Sequence, residues 1–331
     1  LTQLSILDLV PVRAGDGPAD ALAQATQYAR AAEAEGYHRY WVAEHHGSEG
    51  IAGGAVSVVL SHVGAATSSI RIGSGGIMLP NHNPFVIAEQ FGTLAALYPG
   101  RIDLGLGRAP GAAPVLARAL RKDLHAAADR FPHDVVELRA LLSDAADLAI
   151  HATPGRASDI EMWMLGSSLF GAQLAARLGM PYAFASHFAP DHLDAALMVY
   201  RERFEPSEYC EKPHVMAAMT VIAADTDEEA AYLASSQEQS FVALRSGNAG
   251  KLPPPVRDYR DSLSPSLRAM LDRLGEARAV GSPATVAEKI AAFVARTKAD
   301  EIVCSGATFD PDARIRSLRL AQGHLKGRVP A

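Results

Sequence analysis

Four short stretches bring together residue types that can do chemistry. Glu44-His45-His46 sets a carboxylate beside two imidazoles, groups that move protons near neutral pH. Being adjacent, His45 and His46 point to opposite sides of an extended segment, so one can face a site while the other packs behind it. Ser74-Gly75-Gly76 lies inside the run Arg71–Pro80, and a glycine pair in a strand interior marks either a bulge or a close approach of backbone to a ligand. Arg108 closes the next run, Ile102–Gly107, with a permanent cation. Gly166-Ser167-Ser168 leads straight into a helix start, where unpaired N–H groups and the helix dipole favour a phosphate. One ligand accounts for three of the four stretches. It is a flat, phosphorylated heteroaromatic cofactor lying on bare backbone at 74–76, its anionic tail between Arg108 and Ser167/Ser168. Each stretch also has a plainer reading: a tight turn, a surface arginine, ordinary helix capping, a packed histidine.

The elements that must position these residues follow one rhythm. Leu4–Leu9, Tyr40–Ala43, Arg71–Pro80, Ile102–Arg108, Glu161–Leu165, Tyr182–Ala185, Val215–Ala223 and Glu301–Cys304 read as eight strands. Helical patterns separate them: 22–36 stopped by Gly36, Val56–Thr67, Pro84–Leu97 behind an Asn83 cap, and 112–147 with a break at Pro132. They continue at Phe170–Leu178, Asp191–Phe204, from Asp225, Ala284–Thr297 and Pro311–Leu320. Residues 236–280 break the rhythm, because Ser246-Gly247-Asn248-Ala249-Gly250 and Pro253-Pro254-Pro255 cannot sit in one regular element. The pattern predicts an α/β fold: a single (β/α)8 TIM barrel over residues 1–331, with a long irregular insertion at 236–280 before the last βα unit. A doubly wound dinucleotide fold would need G-x-G-x-x-G after its first strand. The nearest match, Gly105-x-Gly107 followed by Pro110, comes three strands too late and lacks the last glycine. In a barrel the functional groups gather at the C-terminal ends of the strands, and all four stretches fall on that rim.

Bulk composition narrows the classes further. With 48% hydrophobic and 21% charged residues and a net charge of −6, the chain reads as an ordinary globule without a nucleic-acid footprint. No run approaches the ~18 apolar residues of a membrane span. The chain opens on a strand rather than on a charged and then apolar leader, and Cys210 and Cys304 are too few for a disulfide framework, so a cytoplasmic location is expected. A metal site is not expected. Further histidines exist (His62, His82, His187, His192), but no pair has H-x-H or H-E-x-x-H spacing.

In this order the segments resemble the bacterial luciferase-like, flavin-dependent monooxygenase family. The resemblance is carried by Trp41-Val42-Ala43-Glu44-His45-His46, by Ile72–Pro80, by Asn83-Pro84 through Ala88-Glu89-Gln90, and by Leu97-Tyr98-Pro99-Gly100 through Arg108. It extends through Leu165-Gly166-Ser167-Ser168 and the helix start at Gly281-Ser282-Pro283, nearly the whole chain. It implies a TIM barrel that uses reduced FMN and O2, with the flavin over a non-prolyl cis peptide within Ser74-Gly75-Gly76. It maps the phosphate arginine to Arg108, backbone phosphate donors to Ser167 and Ser168, and the catalytic histidine to His45; the neighbouring carboxylate of Glu44 is expected to orient that histidine. A second family arginine aligns loosely with Arg130. Gly107 replaces the reactive cysteine of the light-emitting luciferase subunit, and Ala109-Pro110-Gly111 replaces its tyrosine region. Both departures speak against light emission and a long-chain aldehyde substrate. The 236–255 segment occupies the place of the family's mobile lid.

The expected function is therefore an FMN-dependent monooxygenase passing one oxygen atom from a peroxyflavin to a small organic substrate. Without a nicotinamide fingerprint, reduced FMN is expected from a separate flavin reductase. In the family, the helices over 56–67 and 84–97 form a homodimer interface, and here they are rich in small and apolar residues. The alternatives are a deazaflavin-dependent hydride-transfer enzyme, a flavin-binding protein without turnover, and a metal hydrolase.

Overall fold

Alternation along the strands sorts the core into two. Leu7, Trp41, Ala43, Trp163, Ala183, Met216, Ala218 and Val303 point inward and meet one another, while Leu4, Ile6, Tyr40, Ile72 and Leu104 face the helices. A computed structural model describes residues 2–108, 114–120, 123–144 and 147–325. The chain begins β1 (Gln3–Asp8), α1 (Pro18–Glu35), β2 (Arg39–Val42), α2 (Val56–Ala66), β3 (Arg71–Met78), α3 (Pro84–Leu97) and β4 (Ile102–Gly107). It continues with α4 (Pro114–Ala119), α5 (Leu124–Leu142), β5 (Glu161–Gly166), α6 (Leu169–Leu178), β6 (Tyr182–Phe184) and α7 (Leu193–Glu202). Then follow β7 (Val215–Ala223), α8 (Asp227–Arg245), α9 (Pro265–Asp272), β8 (Arg278–Gly281), α10 (Pro283–Thr297), β9 (Glu301–Ser305) and α11 (Pro311–Leu325).

All strand pairings are parallel, and β6 pairs β7 while β9 pairs both β1 and β7, so eight strands close into a TIM barrel. The extra strand, β8, pairs the end of β7 outside the ring, Thr220 opposite Arg278 through Ala223 opposite Gly281. Sequence patterning missed it because it spans four residues at the end of the irregular stretch. That stretch is also less irregular than the sequence predicts. α8 runs on to Arg245, and α9 occupies 265–272, leaving 246–264 as loop and single turns. Pro132 does not break the chain into two helices; it lies inside α5, flanked by the buried Phe131 and Val135, and the α4–α5 junction falls earlier. Tertiary packing of that face outweighs the one backbone hydrogen bond a proline removes. Local signals elsewhere act as expected. The Asn83 side chain caps α3 through Phe85 N–H at 2.9 Å, and Gly36 closes α1 at φ 76°.

The N-terminal end of the barrel is plugged by charge. Arg39 pairs with Asp103 at 2.8 Å, Glu161 at 2.7 Å and Glu301 at 3.1 Å, and Trp41 Nε1 donates to Asp103 at 2.8 Å. Above this plug Trp41 and Trp163 meet edge to face, ring centres 5.4 Å apart, as the apolar floor of the opposite mouth. Among the described residues no helix is long and apolar enough to cross a membrane.

Candidate active site

The inward row Arg39, Trp41, Ala43 continues, two residues at a time, to His45 on the C-terminal rim. Its Nδ1 is buried and has no hydrogen-bond partner. Burial holds this imidazole below the ordinary histidine pKa, against the opposing charge of Glu44. His187, just past β6 on the far side of the ring, likewise has a buried Nδ1 without a partner. Burial, with the charge of His45 second, pushes its pKa down to about 4. Both histidines thus follow the C-terminal ends of their strands, and by its sequence position alone His187 suggests no more than a candidate metal ligand.

Glu44 does not orient His45, which corrects the expectation. Being even-numbered on the same extended segment, it faces outward with His46, whose Nε2 lies 2.6 Å from Oε1. His82, in the turn after β3, approaches the same oxygen at 2.8 Å, and Met78 N–H donates to Oε2 at 3.0 Å. Burial would raise the Glu44 pKa, but the hydrogen bonds from His82, His46 and Met78 outweigh it and hold the carboxyl below its usual range. This cluster was invisible to spacing rules because His82 arrives from another strand. His62, His187 and His192 do not join it among the described residues.

At β3 the Gly75–Gly76 peptide bond is cis, and the β3–β4 register shifts between Gly75 and Ile77. The glycine pair therefore marks a bulge. A Cβ on Gly76 would lie 2.6 Å from the Gly105 carbonyl oxygen, and one on Gly75 would lie 2.5 Å from Leu7 Cδ1. The Ser74 hydroxyl is engaged within the sheet, donating to Gly105 O and accepting from Gly105 N–H, each at 3.0 Å. Ser74 thus straps β3 to β4, and what it can offer a ligand is backbone.

Arg108 is exposed at the end of β4, and its guanidinium stacks 4.0 Å from the ring centre of Phe170 in the first turn of α6. That contact sets the cation beside the helix N-terminus, next to exposed Ser167 and Ser168. Ser168 is the N-cap, extended at φ −148°, and its side chain makes no capping bond. Gly166 sits closely against both neighbours, since a Cβ there would stand 3.2 Å from Tyr182 Oη of β6 and 3.4 Å from Gly171 Cα of α6. Ala109-Pro110-Gly111 lies outside the described residues, and Arg130 sits in α5 within 3.5 Å of Asp134. A separate cavity of 710 Å3, lined by Thr2, Tyr37, His38 and Val294 among others, opens at the N-terminal end and includes none of these rim residues.

Comparison with known proteins converges on one family. The family profile described as luciferase-like monooxygenase matches residues 2–301. A protein of Escherichia coli K12 named luciferase-like monooxygenase is 48% identical over 319 residues, 96% of this chain and 95% of that one. N-acetyl-S-alkylcysteine monooxygenase of Bacillus subtilis is 35% identical over 254 residues, 75% of each chain. The crystal structure of apo-MsnO8 superposes with a TM-score of 0.88 at 34% identity, covering all of both chains. The chain belongs to the luciferase-like monooxygenase family, and its enzymatic class is that of the flavin-type monooxygenases.

Proposed function

We propose that this chain is an FMN-dependent monooxygenase that transfers one oxygen atom of O2 to a small organic substrate, with His45 as its proton-handling group. The observation that carries the reading is the convergence of three features on one rim. Bare backbone at the cis Gly75–Gly76 bond, Arg108 stacked beside the α6 N-terminus, and the unpartnered His45 Nδ1 all lie toward the C-terminal ends of β2 to β5, the end of the barrel that the Trp41–Trp163 pair floors.

The residues fit FMN. Gly75 and Gly76 leave no side chain in the way of a flat ring, and Arg108 with the first-turn N–H groups near Gly166, Ser167 and Ser168 suits a phosphate dianion. Reduced FMN, when bound, supplies the two electrons that oxygen transfer requires, one oxygen atom going to substrate and the other leaving as water. His45, neutral near pH 7 because burial depresses its pKa, can accept a proton there and return it. Loop 246–258 is the candidate lid: Leu252 is buried and bridges to Arg13 beyond β1, and a Cβ on Gly50 would strike the Gly250 carbonyl. The floor of Trp41, Trp163, Leu7 and Leu165 suits an apolar group, and the relative named for S-alkylcysteine oxidation makes a thioether a reasonable first substrate class.

Two further parts belong to the same proposal. Reduced FMN arrives from a separate reductase, and the chain pairs as a homodimer through α2 and α3, where Val58, Val86 and Leu97 are exposed. The free cysteines Cys210 and Cys304 fit a reducing compartment such as the cytoplasm. The test is to supply reduced FMN or a reduced deazaflavin and follow oxygen consumption with a thioether panel. The proposal expects substrate-dependent uptake with FMN alone. Hydride transfer from the deazaflavin without oxygen uptake would overturn it.

A further inference from the structure

Glu44, His46 and His82 form a group that the flavin reading leaves without a task. One ligand atom from each, a carboxylate oxygen and two Nε2 atoms, lies within 4.8 Å of the others. We propose that these three residues bind a divalent first-row transition ion, on the side of the Glu44–His46 segment away from the barrel mouth.

The chemistry of the donors argues for it. Glu44 is 1% exposed, and among the described residues its ion-pair partners are His46 and His82 rather than Lys or Arg. Met78 N–H holds Oε2 at 3.0 Å; His46 Nε2 addresses Oε1 at 2.6 Å, and His82 Nε2 lies between the two oxygens, 2.8 Å from Oε1 and 3.0 Å from Oε2. Each Nε2 now donates its N–H to the carboxylate, and it would offer a lone pair to an ion once that proton moves to Nδ1 or to solvent. With metal–ligand distances of about 2.0–2.2 Å, neighbouring donors around one ion stand about 2.9 Å apart in an octahedral set and about 3.3 Å apart in a tetrahedral one. The two carboxylate–imidazole spacings, 2.6 and 2.8 Å, are close to the octahedral value and need only a few tenths of an ångström of expansion. Two imidazoles with one carboxylate select zinc, cobalt, nickel, iron(II) or manganese over calcium and magnesium. His46 and His82 retain 21% and 29% exposure, which gives an ion a path in and gives water the remaining positions. Such an ion would tie the turn after β3, which carries His82, to the segment that carries His45.

The proposal does not depend on the flavin, so the untagged chain is tested without it. Co2+ is titrated by calorimetry and visible absorption. The expected result is one ion per chain at micromolar or tighter affinity, weakened at least ~10-fold by His46→Ala and by His82→Ala. His62→Ala, at an exposed residue of α2, should bind as the unaltered chain does. Should either cluster variant fold poorly, crystals of the unaltered chain soaked in Co2+ give a second readout. An anomalous peak is expected within about 2.5 Å of the three donor atoms. Absence of saturable binding, equal affinity in all three variants, or a peak elsewhere overturns the site.

Discussion

Removing Arg108 should separate two ligands that differ only in a phosphate. Arg108→Ala deletes an exposed guanidinium stacked 4.0 Å over Phe170 at the α6 N-terminus. Riboflavin offers that cation nothing, whereas FMN offers a dianion. A hydrogen bond to a charged group is worth roughly 1.5–3 kcal/mol, and exposure puts this one in the lower half of that range. FMN affinity should therefore fall about 10- to 50-fold while riboflavin affinity stays within about twofold. Phe170→Ala keeps the cation but removes the ring that holds it, a contact worth about 0.5–1 kcal/mol at an exposed site, so FMN alone should weaken about two- to fivefold. Anaerobic titration of flavin fluorescence with both ligands, for the unaltered chain and the two variants, reads all the constants needed, and the FMN effect should shrink at high salt. Equal losses for FMN and riboflavin would remove Arg108 from the phosphate and refute the orientation of the cofactor.

Three other outcomes follow from the same geometry. His45→Ala should bind FMN normally yet lower turnover ~10²–10⁴-fold and lose one limb of the pH–rate profile; His46→Ala should cost mainly stability, about 1–3 kcal/mol for the buried Glu44 that loses a partner. The reverse pattern in stably folded variants would move the assignment to His46. His187, with a folded pKa of about 4 against the ordinary 6.5, binds its proton more readily when unfolded. Its contribution is full above pH 6.5 and is lost as pH falls through 4, about 2 kcal/mol by pH 5. Urea midpoints of His187→Gln should show a shallower acid decline than the unaltered chain, and parallel curves would contradict the assigned burial. Sedimentation at micromolar concentration should give twice the 35.0 kDa chain mass, and a monomer would exclude the α2–α3 interface.

Much of the barrel was legible because its signals are local. The eight ring strands announce themselves through apolar runs bounded by Gly and Pro, and the caps at Asn83 and Gly36 lie where dihedral preference puts them. The misses have a common cause, which is that tertiary partners decided them. β8 is a strand only because β7 extends past the ring to pair with it, and Pro132 stays helical because its neighbours are buried. At the site, strand alternation alone would have paired Glu44 with His46 instead of His45, so that error was avoidable. His82 was not recoverable, since its contact with Glu44 spans 38 residues. The placing of His187 across the ring from His45 likewise depends on closure through β6 and β7.

The most direct test of the oxygen-transfer account uses isotopically labelled dioxygen. The chain is mixed anaerobically with reduced FMN and an N-acetylated S-alkyl cysteine, exposed to 18O2, and the product is analysed by mass spectrometry. The account predicts one labelled oxygen atom in the product, with none incorporated from labelled water and the yield reduced ~10²–10⁴-fold in His45→Ala. Substrate oxidation that carries no label from O2, or equal yields from the unaltered chain and His45→Ala, would contradict it.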